Sequence, residues 1–202
     1  MSFHPLMSYD DRFHKSERKL PDEGPPFTFT PERRAKLDDI LTKYPPERKR
    51  SAVLAALYLV QEQQGYLTAN GMRHVAGILG MSPAEVDDVA TYYVMFYKEP
   101  VGKYVLQVCR TLSCALLGAE RVTESLSEKL GIKVGETDPS GMFTLLEFEC
   151  LGACDRAPVV MVNNELWHET LKPEDAGKLV DAIKSKGAAA LSGCHLEVER
   201  AR

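Results

Sequence analysis

Four cysteines in two close pairs constrain this chain more than any other feature. Cys109 and Cys114 are spaced C-x4-C, Cys150 and Cys154 are spaced C-x3-C, and 35 residues separate the pairs. Each pair begins where an apolar, strand-like run ends. Lys103 to Val108 reads as a strand ending at Cys109, and Met142 to Glu149 reads as one ending at Cys150. Loops converge at the ends of adjacent strands, so neighbouring strands would let the four sulfurs surround one point. That ligand set suits an iron–sulfur cluster or a structural zinc ion.

The spacing favours iron. Structural zinc usually takes tight C-x2-C turns, and neither pair has one. A two-iron cluster gives each pair its own iron, and some clusters of that kind open on C-x4-C. Arg110 to Ser113 offers backbone N–H groups beside the sulfurs. Cys114 falls in the first turn of an expected helix, whose dipole would favour its thiolate. Leu151-Gly152-Ala153 is small and apolar, which lets its backbone approach a cluster and exclude water. Redox disulfide chemistry would call for C-x-x-C, which is absent. The fifth cysteine, Cys194, lies beside His195 near the C-terminus and reads as a spare thiol.

Around this core the chain divides in two. From Phe27 to about Lys98 it reads as helices. Thr30-Pro31 opens one that runs to about Lys43 before Tyr44-Pro45-Pro46, Glu47 to Gln64 forms a second closed by Gly65, and Thr68 to Leu79 a third. Ser82-Pro83-Ala84-Glu85 is a capping box that starts a fourth, to about Tyr93. The aromatic cluster Tyr92, Tyr93, Phe96 and Tyr97 is expected to pack in a core or between domains. After Pro100 the pattern becomes β-α-β-β-β-α. A helix spans Ser113 to Leu130, Val159 to Val162 and Leu166 to His168 form a hairpin around Asn163-Asn164, and a last helix runs from Lys172-Pro173 through Ile183. The expected fold is therefore an α+β two-part chain, a small N-terminal helical bundle followed by an α/β domain. Its divisions are an arm at 1–26, the bundle at 27–98, the α/β domain at 99–186 and a tail at 187–202.

Composition excludes other classes. Lys and Arg number 25 against 29 Asp and Glu, a net charge of −4, which is not the balance of a nucleic-acid binder. No apolar run approaches the roughly 20 residues of a membrane span, so direct membrane insertion is not expected. Met1 to Leu20 lacks the apolar stretch of a signal peptide and, with Asp10, Asp11 and Glu17, the acid-poor character of a transit peptide. Five cysteines without a secretory signal fit a reducing compartment. There is no G-x-G-x-x-G after a strand and no P-loop, so no nucleotide or flavin site is expected. The five histidines show no ligand spacing.

The segments Cys109-Arg110-Thr111-Leu112-Ser113-Cys114 and Cys150-Leu151-Gly152-Ala153-Cys154-Asp155-Arg156-Ala157-Pro158 resemble the signatures of the thioredoxin-like [2Fe-2S] ferredoxins. Within that group the likeness is to the small iron–sulfur subunits of NADH:quinone oxidoreductase, respiratory complex I. It extends over about Phe27 to Ser185, with Ala90-Thr91-Tyr92-Tyr93-Val94-Met95-Phe96 and Pro158-Val159-Val160-Met161-Val162-Asn163 as further matches. The resemblance implies a thioredoxin-like cluster domain in which Cys109, Cys114, Cys150 and Cys154 hold one [2Fe-2S] cluster. It also implies a partner subunit that carries FMN and binds NADH, further subunits of the complex's peripheral arm, and no complete active site on this chain. The place implied is the bacterial cytoplasm at the inner membrane, or the matrix side in a mitochondrion. The equivalent subunit of an NAD-linked hydrogenase or formate dehydrogenase, a free-standing ferredoxin, and a zinc interaction module built on the four cysteines are the alternatives. Glu147, Glu149 and Asp155 near the ligands argue for a low reduction potential, opposed by Arg110 and Arg156. Pro158 is a candidate cis proline.

Overall fold

The computed structural model describes residues 26–191, which form two compact units divided after Pro100. Cys194 and most of the expected arm and tail lie outside the described residues.

The first unit is helical. Its elements are α1 (Pro31–Thr42), a 3-10 segment (Pro46–Ala52), α2 (Val53–Gln64), α3 (Ala69–Leu79) and α4 (Pro83–Tyr92). Local chemistry sets the starts. The Thr30 hydroxyl accepts from the Arg33 N–H with Pro31 at the first helical position, and Ser82 and Glu85 cap α4 reciprocally. The expected single helix from Glu47 to Gln64 is instead a 3-10 segment leading into α2. Arg48 leaves helical geometry at φ −120°, just after Pro45 and Pro46, and regular α-helix begins only at Val53. Leu37, Leu57, Val60, Leu67, Val75 and Val86 form the fully buried centre. Gln61, buried on α2, donates to the Met95 carbonyl and accepts from the Tyr97 N–H, so the segment after α4 is held to the core. The aromatic cluster splits. Phe96 is buried against Tyr58, while Tyr92 is 79% exposed.

The second unit is a four-stranded sheet with helices. Strands β1 (Tyr104–Cys109), β2 (Phe143–Phe148), β3 (Val160–Val162) and β4 (Leu166–His168) lie in the order β2-β1-β3-β4. β1 and β2 are parallel with Cys109 opposite Phe148, whereas β3 runs antiparallel to both β1 and β4. All six residues of central β1 are buried, as a strand covered on both faces requires. The helices are α5 (Leu112–Leu116), α6 (Ala119–Leu130) and α7 (Pro173–Lys186), and a 3-10 turn at Gly187–Leu191 follows. The single helix expected from Ser113 to Leu130 is broken in two at Gly118. Its φ of +98° is left-handed backbone that glycine adopts without strain, and no helix continues through it. The β3–β4 turn uses Asn163 and Asn164, both at positive φ. Asn163 bonds the Val105 N–H and the Lys103 carbonyl, and Asn164 bonds buried Gln107.

Candidate iron–sulfur centre

The parallel β1–β2 pair places two cysteines at one end of the sheet. Cys109 closes β1, and Cys150 follows β2 by two residues. Cys114 sits in the middle of α5, and Cys154 starts a 3-10 turn, Cys154–Arg156. Close interactions join three of the four. The Cys109 sulfur hydrogen-bonds that of Cys114, and Cys154 lies near enough to act on the Cys114 thiol through its charge. All four cysteines are free thiols. Among the described residues, no three His, Cys, Asp or Glu side chains are placed to hold a single metal ion, whereas a two-iron cluster asks only two thiolates of each iron.

Backbone donors reach the sulfurs. Cys109 receives N–H groups from Thr111 and Leu151, Cys114 one from Val159, and Cys150 one from Gly152 at 3.4 Å. The Thr111 hydroxyl lies 3.3 Å from the Cys109 sulfur, and that sulfur is 3.3 Å from the Glu149 carbonyl. N–H groups aimed at sulfur favour its anionic form. The donor set therefore fits thiolates that bind a cluster, with iron-bound sulfur carrying the negative charge these groups stabilise.

Thiolate character does not follow the helix dipole. Burial pushes the Cys114 thiol up to about 11, and the neighbouring Cys109 and Cys154 add to the rise despite the Val159 N–H. Burial also opposes ionisation of Cys109, but its hydrogen bonds from Thr111, Leu151 and Cys114 prevail and lower its pKa. A helix of five residues has too little dipole to overcome desolvation. Within the buried pair, Cys109 therefore ionises before Cys114. Water exclusion is likewise only half realised. Cys109 and Cys114 are buried, but Cys150, Gly152 and Cys154 are exposed.

The charged neighbours are paired. Arg110 lies 3.1 Å from Glu149 and 3.7 Å from Glu147, and Arg156 lies 3.7 Å from Asp155. Each of the carboxylates expected to depress the potential thus has a guanidinium group within 4 Å. Two supports escape sequence reading altogether. Trp167 on β4 donates its indole N–H to the Leu151 carbonyl at 3.2 Å, and the Leu171 N–H donates to the Pro158 carbonyl at 3.0 Å. Only Thr111, two residues after Cys109, carries a local signal of its role. The Ala157–Pro158 peptide is cis.

The thioredoxin-like [2Fe-2S] ferredoxin family matches residues 37–184, across both units and all four cysteines. The chain belongs to that family. Membership brings with it one [2Fe-2S] cluster. The chain is 42% identical over 160 residues to the E subunit of NADH-quinone oxidoreductase from Rickettsia bellii, covering 79% of this chain and 95% of that one. It is 44% identical over 133 residues to NADH-quinone oxidoreductase subunit 2 of Thermus thermophilus, covering 66% and 74% respectively. Among solved structures, an NAD+-reducing [NiFe]-hydrogenase in the air-oxidised state aligns with a TM-score of 0.58 at 19% identity. That alignment covers 67% of this chain and 23% of the hydrogenase chain, and it bears on the fold alone.

Proposed function

We propose that this chain is the small iron–sulfur subunit of an NADH:quinone oxidoreductase, with Cys109, Cys114, Cys150 and Cys154 as the ligands of its [2Fe-2S] cluster. The observation that carries the assignment is the meeting of the two cysteine pairs at the ends of β1 and β2, with backbone N–H groups turned to three of the four sulfurs. When bound, the cluster supplies a one-electron couple. The protein's part is to hold the thiolates, donate hydrogen bonds to them and bury one pair while leaving the other near the surface. The sequence has no G-x-G-x-x-G after a strand and no P-loop, and we assign the hydride step to a partner bearing FMN and the NADH site, together with further subunits of the peripheral arm.

Three exposed leucines support an assembled rather than a free-standing protein. Leu112 and Leu116 on α5, and Leu117 after it, are 75%, 78% and 57% exposed on the segment that carries Cys114. Apolar surface of this kind at a redox centre suits protein contact. Residues 27–98 are assigned as a helical bundle serving assembly and 99–186 as the cluster domain, with 1–26 and 187–202 flanking them. Among the described residues, no helix is long and apolar enough to cross a membrane. We place the subunit on the cytoplasmic side of a bacterial inner membrane, held there by its partners. The equivalent subunit of an NAD-linked hydrogenase is the second reading, favoured by the shared fold.

Anaerobic purification of the full chain tests the ligand assignment through iron and acid-labile sulfide content and the electron paramagnetic resonance signal after dithionite reduction. Two irons and two sulfides per chain are expected for a [2Fe-2S] centre, whereas a colourless protein with stoichiometric zinc would overturn it. Native purification from the source organism tests the partner. Recovery with a flavoprotein and quinone-reducing subunits is expected; recovery with a nickel-containing subunit would favour the hydrogenase reading.

A further inference from the structure

Arg110 directly follows Cys109, and its backbone N–H extends the β1–β2 ladder by donating to the Phe148 carbonyl at 2.9 Å. Its guanidinium donates to Glu149 at 3.1 Å and lies 3.7 Å from Glu147. Glu149 immediately precedes Cys150, and its carbonyl oxygen is 3.3 Å from the Cys109 sulfur. One side chain thus straps the strand end presenting Cys109 to the strand end leading to Cys150. Arg110 and Glu147 are 29% and 24% exposed, which screens their attraction less than that of an open surface pair. The planar guanidinium can engage two carboxylates at once, which an ammonium does less well.

We propose that Arg110 is a positioning residue of the cluster site. It fixes the spacing of the strand ends that carry Cys109 and Cys150, and it offsets Glu147 and Glu149 so that they do not depress the reduction potential. The proposal rests on the assignment of the four cysteines as ligands. Without Arg110, Glu147 and Glu149 lose the positive charge it places beside them next to a centre that must accept negative charge, and the strand ends lose this side-chain tie. The first change disfavours the added electron, and the second loosens the grip on iron.

The test uses the full-length chain, purified anaerobically with its cluster, as wild type, Arg110→Gln, Arg110→Lys and the double variant Glu147→Gln/Glu149→Gln. The readouts are the midpoint potential from a dithionite titration followed by paramagnetic resonance, and the rate at which a chelator bleaches the visible absorbance. Arg110→Gln should lower the equilibrium constant for one-electron reduction about tenfold, about 59 mV, and bleach several-fold faster. Arg110→Lys should hold the potential near wild type yet bleach faster, since it keeps the charge and loses the fork. The double variant should shift the potential upward. A wild-type potential and bleaching rate in Arg110→Gln would overturn the proposal, as would equal potential shifts in the Gln and Lys variants, which would reflect packing alone. If Arg110→Gln loses its cluster, the double variant decides: an upward shift supports the proposal and an unmoved potential overturns it. A wild-type chain that takes up no cluster overturns the ligand assignment and this proposal with it, whereas a loaded wild type with insensitive variants overturns this proposal alone.

Discussion

Trp167 holds the cysteine loop from the far side of the sheet: its indole N–H donates to the Leu151 carbonyl at 3.2 Å, across 16 residues of sequence. Leu151 in turn gives its own N–H to the Cys109 sulfur. Trp167→Phe keeps an aromatic ring on β4 and removes the donor. The freed carbonyl is half-buried and can turn to water, so the global cost should be about 0.5–1.5 kcal/mol. The local effect should be larger, with chelator-driven bleaching accelerated several-fold. Equal bleaching rates in variant and wild type would show that the loop needs no such tether.

Much of this arrangement is legible in the sequence where the causes are local. Thr30-Pro31 and Ser82-Pro83-Ala84-Glu85 announce helix starts because their side chains cap the N–H groups of the very next turn. The strand ends at Cys109 and Cys150 are visible because apolar runs stop there. Gly118 is harder to read, since good helix formers flank it and only its left-handed backbone shows the break. The order in which the thiols ionise is hidden for a different reason. Helix position can be counted from sequence, but the burial that raises Cys114 is a property of the packed fold. Trp167 and Leu151 meet only through sheet order, which no local pattern encodes.

Removing a buried-pair sulfur should cost the cluster without costing the fold of the first unit. Cys114→Ser leaves a hydroxyl that ligates iron more weakly than thiolate, in a site already desolvated. The visible absorbance per chain should fall sharply or shift. The far-ultraviolet circular dichroism should stay near wild type, because the core around Leu37, Leu57 and Val75 makes no use of Cys114. Loss of the helical signal together with the absorbance would instead show that the two units do not fold independently.

Gln107 carries amide chemistry into the centre of the sheet. It is fully buried on β1, donating to the Asn164 side chain and accepting the Asn164 N–H at 3.1 Å. Gln107→Leu would fill much of the same space, but the turn at Asn163-Asn164 would lose this amide partner. A destabilisation of about 1–3 kcal/mol is expected, read as a lower urea midpoint for the second unit. Gln107→Glu should be at least as harmful near neutral pH, because a carboxylate cannot donate to the Asn164 side-chain oxygen and its charge is costly to bury. A Leu variant as stable as wild type would mean that packing alone sustains β1.

His74 should make the helical unit sensitive to mild acid. Its ring packs edge-on against Phe27 and Phe29, with centroids 5.5 and 5.4 Å away. Burial, and then the charge of Arg34, holds its pKa below the ordinary imidazole value. The unfolded chain therefore binds this proton more readily than the folded one. The stabilisation is complete above the unfolded value of about 6.5 and is lost as pH falls from there through the folded value. Urea unfolding of the first unit, followed at stepped pH through that window, should give a midpoint that declines with acid. His74→Leu keeps an apolar contact for the two phenylalanine rings and removes the titration, so its midpoint should decline less. Parallel slopes in the two proteins would assign the acid sensitivity to other groups.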